Sequence, residues 1–185
     1  MSDNSWLTST VPLEWEIRAK DIRNKRDAEY ANIFVEEDTN MRWVGDLGEI
    51  CFNHWLKANG FTGFHWHLNN AAGQPDFTVN GRRIDVKTVK RKFAPKPYYT
   101  AQITARHKDH PIDVLFFMIY QHLQKTMWFL GGIDMPQYLA KARYYSAGER
   151  VHKDYVIREG HEIYNAEVTI LTPPAAWLQL LKGTF

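Results

Sequence analysis

The chain has little of what would commit it to several common chemistries. Its single cysteine, Cys51, excludes an internal disulfide and a cysteine-rich zinc site. No stretch approaches the roughly 18 consecutive apolar residues of a membrane span. The opening MSDNSWLTSTVPLEWE lacks a basic region followed by an apolar core, so no secretory signal is expected. These absences point to a reducing cytoplasm. GxSxG, HExxH, Walker A and GxGxxG patterns are missing, and with them the usual anchors of hydrolase, zincin and nucleotide-fold readings. Repeats, low-complexity tracts and clear linkers are missing too.

What is present is ordinary in amount and uneven in place. Hydrophobic residues make up 44% and charged residues 24% of 185, which suits one globular domain over residues 13–185 behind a polar, frayed tail over residues 1–12. Net charge is only +2, yet the segment from Arg82 to Lys96 carries seven basic residues and one acid. That segment therefore holds +6, and the rest of the chain −4. A basic stripe on a mildly acidic body suggests a polyanion bound at one place, although a solvated strand end reads the same way.

The element pattern is mixed. LEWEIRAKDIRNKRDAEYANIF, Leu13 to about Phe34, reads as a charged surface helix with Leu13, Ile17, Ala28, Ala31 and Ile33 inward. A second helix follows Asn40 or Asp46, with Trp43, Leu47, Ile50, His54 and Ala58 at helical spacing and Asn59-Gly60 as its stop. FTGFHWHL is a strand candidate with Phe64, Trp66 and Leu68 on one face, and NNAAGQP a loop. YYTAQITA is another strand. DVLFFMIYQ reads as a buried central strand with KTMWFLGGI as its neighbour. Asp134 and Pro136 open a short helix through Ala142. Residues 143–162 read as an irregular arm, AEVTIL as a late strand and PPAAWLQLLK as a closing helix. The fold class is α/β, a mixed sheet with helices on it.

The stretch GQPDFTVNGRRIDVKTVKRK carries the chemistry. Asn80-Gly81 predicts a two-residue type I′ hairpin, pairing Val79 with Arg82, Thr78 with Arg83, and Phe77 with Ile84. The same register sets Asp76 against Asp85. At about 5 Å and an effective dielectric of about 20, two carboxylates repel by roughly 3 kcal/mol. A divalent cation resolves the conflict: Mg²⁺, for which Mn²⁺ can substitute, takes one or two carboxylates and leaves its other positions to water and phosphate. Lys87 shares the face of Asp85 and can reach the phosphate or the attacking water.

Pro75-Asp76, the short gap to Asp85-Val86-Lys87, and a preceding helix with Gly48-Glu49 together resemble the PD-(D/E)XK nuclease superfamily. The resemblance covers roughly Val44 to Lys92. It implies a restriction-endonuclease-like αβββαβ core and metal-dependent hydrolysis of DNA phosphodiester bonds, with endonuclease action the leading form. It also implies that Glu49 joins Asp76 and Asp85 as a metal ligand, with Lys87 activating water. Arg83, Lys90, Arg91, Lys92 and Lys96 are then candidate DNA contacts, although strand alternation keeps them from lining one cleft together. Small size without a separate recognition domain fits a homodimer.

Blander readings stand beside these. Asp85 and Lys87 also read as a surface ion pair. Asp46 to Glu49 also reads as a capping box, with Glu49 reaching back to the Asp46 amide. Gln102 could face the cleft or solvent. His65 and His67 share a strand face but lack an indicated third zinc ligand. His107 and His110 read as loop residues, and Cys51 as packing. Tyr98-Tyr99 and Tyr144-Tyr145 are candidates for base stacking. A non-cleaving nucleic-acid-binding module and an RNA-directed nuclease are the alternative functions.

Overall fold

A computed structural model describes residues 5–30, 41–69 and 73–183. Positions 1–4 of the expected tail, Ala31, Ile33, Asn40 and residues 70–72 of the expected loop lie outside the described residues.

A six-stranded mixed sheet forms the centre. Its core is β4 (Arg82–Arg91) running parallel to β6 (Val114–Gln121), which pairs antiparallel with β7 (Thr126–Asp134). β3 (Phe77–Val79) and β2 (His65–Trp66) extend the β4 side, and β1 (Leu7–Thr10) closes the β7 side. Every residue of β6 is buried, as its unbroken apolar run requires. Alternation then divides it between two cores. Val114, Phe116, Met118 and Tyr120 point to one layer, and Leu115, Phe117 and Ile119 to the other.

The first layer is helical. α2 (Trp43–Ala58) lies on this face with α1 (Leu13–Tyr30) packed against it, and α4 (Pro174–Lys182) completes the layer. Phe52 of α2 sits 5.0 Å from the Phe77 ring and 4.9 Å from that of Phe116. Gly48 lets α2 approach the sheet closely, since a Cβ there would stand 1.8 Å from Thr88 Oγ1. The helix ends at Asn59-Gly60, with Gly60 at φ 85°.

The second layer is different. A three-stranded sheet of β5 (Thr100–Thr104), β11 (Ile163–Glu167) and β8 (Arg143–Tyr145) packs there with α3 (Met135–Lys141). The crossover from β4 to β6 is made by β5 and a 3₁₀ turn over Ala105–Asp109, where the expected αβββαβ order has an α-helix.

Several expectations need correction. The tail residues Leu7–Thr10 pair with Thr126–Phe129 as an edge strand, a partnership more than a hundred residues away in sequence. On α1, Leu13, Ile17 and Ala28 are exposed, whereas Glu16 and Ala19 are buried. The helix is turned so that Arg23 and Arg26 meet carboxylates of α2, and buried charge outranks the apolar pattern. The β2 pairing shrinks to two residues. The 143–162 arm contains β8 and the hairpin of β9 (Arg150–His152) and β10 (Tyr155–Val156).

Candidate functional site

The hairpin forms in the register its turn dictates. Asn80 at φ 48° and Gly81 at φ 74° make the loop, and Phe77, Thr78 and Val79 pair with Ile84, Arg83 and Arg82. Asp76 lies one residue before β3, where its amide donates to Ile84 O at 2.9 Å. Its Oδ2 accepts from the Val86 amide at 2.8 Å, which pins the carboxyl across β4 beside Asp85. Asp85 is buried and Asp76 half-buried. Ile84 and Val86 enter the helical core, so Asp85 and Lys87 face the second layer.

There Lys87 Nζ lies 2.7 Å from Asp85 Oδ2 and 2.6 Å from His107 Nε2. The lysine approaches Asp85 off the hydrogen-bonding line, so this buried oxygen has no aligned donor. His107 is brought in by the 3₁₀ turn, with Nδ1 2.7 Å from Thr104 Oγ1. Burial first, then the neighbouring Lys87, pushes His107 down to about 4, so the ring is neutral at pH 7. Its Nε2 therefore accepts from the ammonium, and Nδ1–H donates to Thr104.

Electrostatics separate the two aspartates. Burial, followed by Glu49 and Asp85, pushes Asp76 well above the carboxylate range. Burial also acts upward on Asp85, but Lys87 and then His107 outweigh it and hold the group low. The pair is thus split, Asp76 pushed toward its protonated form and Asp85 toward its charged form.

Glu49 occupies a second acidic group on α2. Both its oxygens accept from Arg26, Nη1 to Oε1 at 2.7 Å and Nη2 to Oε2 at 2.9 Å, and Trp66 Nε1 adds a 2.9 Å bond to Oε2. Asp46, one turn earlier, accepts from Arg23 Nε at 2.7 Å and Arg26 Nη1 at 2.6 Å. Burial pushes Asp46 up to about 6 despite these partners. The capping-box expectation is therefore incorrect. The helix begins three residues before Asp46, whose side chain and that of Glu49 both turn toward α1.

Glu49, Asp76, Asp85 and Lys87 line one cleft of about 500 Å³, together with Arg26 and His107. Among the described residues, no group of three or more His, Cys, Asp and Glu side chains is arranged to hold a metal ion. The donor chemistry that does fit a cation is narrower than expected. Asp76 and Asp85 share a surplus of acid, and Asp85 Oδ2 lacks an aligned donor. Glu49 is already engaged by a guanidinium.

The expected DNA contacts lie elsewhere. Arg83 is tied to Asp113 through Nε at 2.9 Å and Nη2 at 2.7 Å. Arg91 stands six residues from Asp85 on an extended strand, roughly 20 Å away, with Lys92 and Lys96 beyond it. Gln102 is exposed and outside the acidic cleft. His67 bonds Thr78 Oγ1 at 2.8 Å, and Cys51 is buried, its thiol pushed up to about 12 by burial.

Arg26 and His107 are the participants that the sequence reading missed. Arg26 had a signal: Arg23 and Arg26 repeat at i, i+3 on one helix, as Asp46 and Glu49 do on the next, so two matching faces were available. His107 had none, because its place depends on the crossover folding back over β4. Comparison of the chain with protein-family models, curated proteins and solved structures returns no match.

Proposed function

We propose that this chain is a metal-dependent nuclease that hydrolyses DNA phosphodiester bonds, on a variant of the restriction-endonuclease-like core. The observation that carries the reading is the hairpin pair: two aspartates, one buried and one half-buried, with one lysine beside them, in a cleft lined by both arginines and carboxylates. An acidic pair that is incompletely neutralised is a functional-site signature more often than a structural one. The element order supports it as well. A helix, three antiparallel strands and a fourth strand parallel to the third follow the resemblance, with β5 and a 3₁₀ turn in place of its second helix.

Asp76 and Asp85 would hold Mg²⁺. A bound Mg²⁺ supplies a water of lowered pKa and charge stabilisation at the leaving oxygen. Lys87 has three donors. One is directed to His107 while the ammonium stays in ion-pair contact with Asp85, which leaves donors for a phosphate oxygen or the incoming water. His107 holds that ammonium in place from the far side. Arg26 fixes Glu49 and Asp46 and adds positive potential where a phosphodiester enters. The water oxygen bonds to phosphorus as the bond to the leaving oxygen breaks.

Engagement of Glu49 by Arg26 favours a second reading, a module that binds nucleic acid without cutting. Incubation of supercoiled, linear and single-stranded DNA, and of RNA, with Mg²⁺ or Mn²⁺ separates the two. Cleavage by the wild type that is lost in both Asp85→Asn and Lys87→Ala supports the nuclease. Salt-sensitive binding with no cleavage in either metal supports the module. Normal cutting by both folded variants would sink the proposed site.

A further inference from the structure

The crossover that brings His107 to the cleft has a property that the acidic site does not use. From Val86 to Lys108 the chain contains seven lysines and arginines and no acid. Lys87 belongs to the site and Arg106 to the cleft rim. Four others gather at the far end of β4 without a carboxylate partner among the described residues. Lys90 reaches Met41 Sδ at 3.5 Å, and Arg91 bonds the Lys90 carbonyl. Lys92 lies over the Phe93 ring at 5.6 Å, and Lys96 over the Tyr98 ring at 6.0 Å. Both rings stand out in solvent, at 62% and 65% exposure.

This basic and aromatic end lies along β4 from the acidic pair. A second cavity of about 170 Å³ shares Lys87 with the main cleft and continues past Val89 to Arg91, with Thr100 and Gln102 of β5 on its other side. β5 is an edge strand of its sheet, so one row of its backbone donors and acceptors has no strand partner. The passage is walled by an apolar strand face and a polar backbone edge.

We infer that the surface along β4 is a track for single-stranded nucleic acid, leading from the Asp76–Asp85 centre to a stacking platform of Phe93 and Tyr98. The inference rests on the nuclease reading for its direction, and it names the substrate class as nucleic acid with an unpaired segment. Stacking on two exposed rings with lysines beside them is the chemistry by which proteins hold single strands regardless of sequence. Arg91, Lys92 and Lys96 meet phosphates, and Phe93 and Tyr98 meet bases.

The test is fluorescence anisotropy with 5′-labelled oligo-dT, oligo-rU and a blunt duplex of equal length, in EDTA, using the full chain and the Phe93→Ala/Tyr98→Ala variant. Cleavage of a duplex carrying a single-stranded overhang is followed in parallel with Mg²⁺. The wild type binds a single strand more tightly than the duplex, and the variant's single-strand to duplex affinity ratio falls at least tenfold. The oligo-dT and oligo-rU arms report which sugar is preferred. Both substituted side chains are surface-exposed, and matching thermal melts show that the fold is kept. A second variant, Lys92→Gln/Lys96→Gln, lowers single-strand affinity and flattens its salt dependence. Equal wild-type affinity for single strand and duplex, or an unchanged ratio in the aromatic variant, overturns the track. Single-strand preference that depends on Phe93 and Tyr98 in a protein that cuts nothing sustains the track and sinks the nuclease. Cutting without that preference does the reverse.

Discussion

Two pairs of carboxylates meet at one cleft through Glu49, Asp76 and Asp85, and the protein treats them in opposite ways. Asp46 and Glu49 on α2 meet two guanidiniums from α1, with an indole N–H added, so acid and base balance and both Glu49 oxygens are bonded. Asp76 and Asp85 on the hairpin meet one ammonium, shared with a neutral histidine. The first pair ties two helices together. The second keeps Asp76 pushed toward its protonated form and an oxygen without an aligned donor, which is the condition of a group whose partner arrives from outside. Burial alone therefore does not set a carboxylate's role; the count of compensating donors tells the pairs apart.

The largest expected effect breaks the helical pair. Arg26→Ala leaves Glu49 and Asp46 enclosed with only Arg23 between them, and should cost about 3–5 kcal/mol in urea unfolding. Next comes the hairpin pair, where the loss is of activity instead. Asp85→Asn should lower metal-dependent cleavage by roughly 10²–10³-fold while its urea midpoint falls by much less than that of Arg26→Ala, since Lys87 loses one ion pair but keeps His107. A large loss of stability in this variant would mean that the two pairs are alike after all.

Acid sensitivity should separate the regions further. Because His107 is held near 4 in the folded chain and returns to about 6.5 when unfolded, its contribution is complete above pH 6.5 and is lost as pH falls toward 4. Over that interval the wild type should lose about 3 kcal/mol that His107→Gln does not lose. Asp46 works in the other sense, since its raised pKa makes stability decline as pH rises from about 4 to about 6, in both proteins alike. Comparison of urea midpoints at pH 4.5 and 7.5 isolates the histidine. The smallest effect is Asp76→Asn. It keeps the acceptor for the Val86 amide and removes a charge that becomes costly as pH rises, so its stabilising effect should grow from pH 4 toward pH 8.

What the sequence revealed follows the range of the forces involved. The hairpin was legible to the residue because Asn80 and Gly81 alone determine its register, and the pairing of Phe77 with Ile84 then aligns Asp76 with Asp85. β6 and β7 were legible from composition, since an unbroken apolar run has only one place to go. The orientation of α1 was not, because it answers to buried acids on another helix. Glu49 was correctly brought to the cleft, but its guanidinium partner was invisible to a reading that paired it with its own helix terminus. The basic stripe runs away from the aspartates: ten residues of extended β4 carry it toward the far end of the strand, and Arg83 is held by Asp113. β1 and His107 depend on long-range closure, which no local pattern announces.

The most direct test of the hairpin site is calorimetric titration of Mg²⁺ into the wild type and Asp85→Asn at pH 7, each in two buffers of different ionisation heat. The wild type should take up the ion at one site and release a proton as Asp76 ionises, and the variant should show neither. A wild type that binds no divalent ion, or a variant that binds it as the wild type does, would contradict the assignment of the aspartate pair as the metal centre.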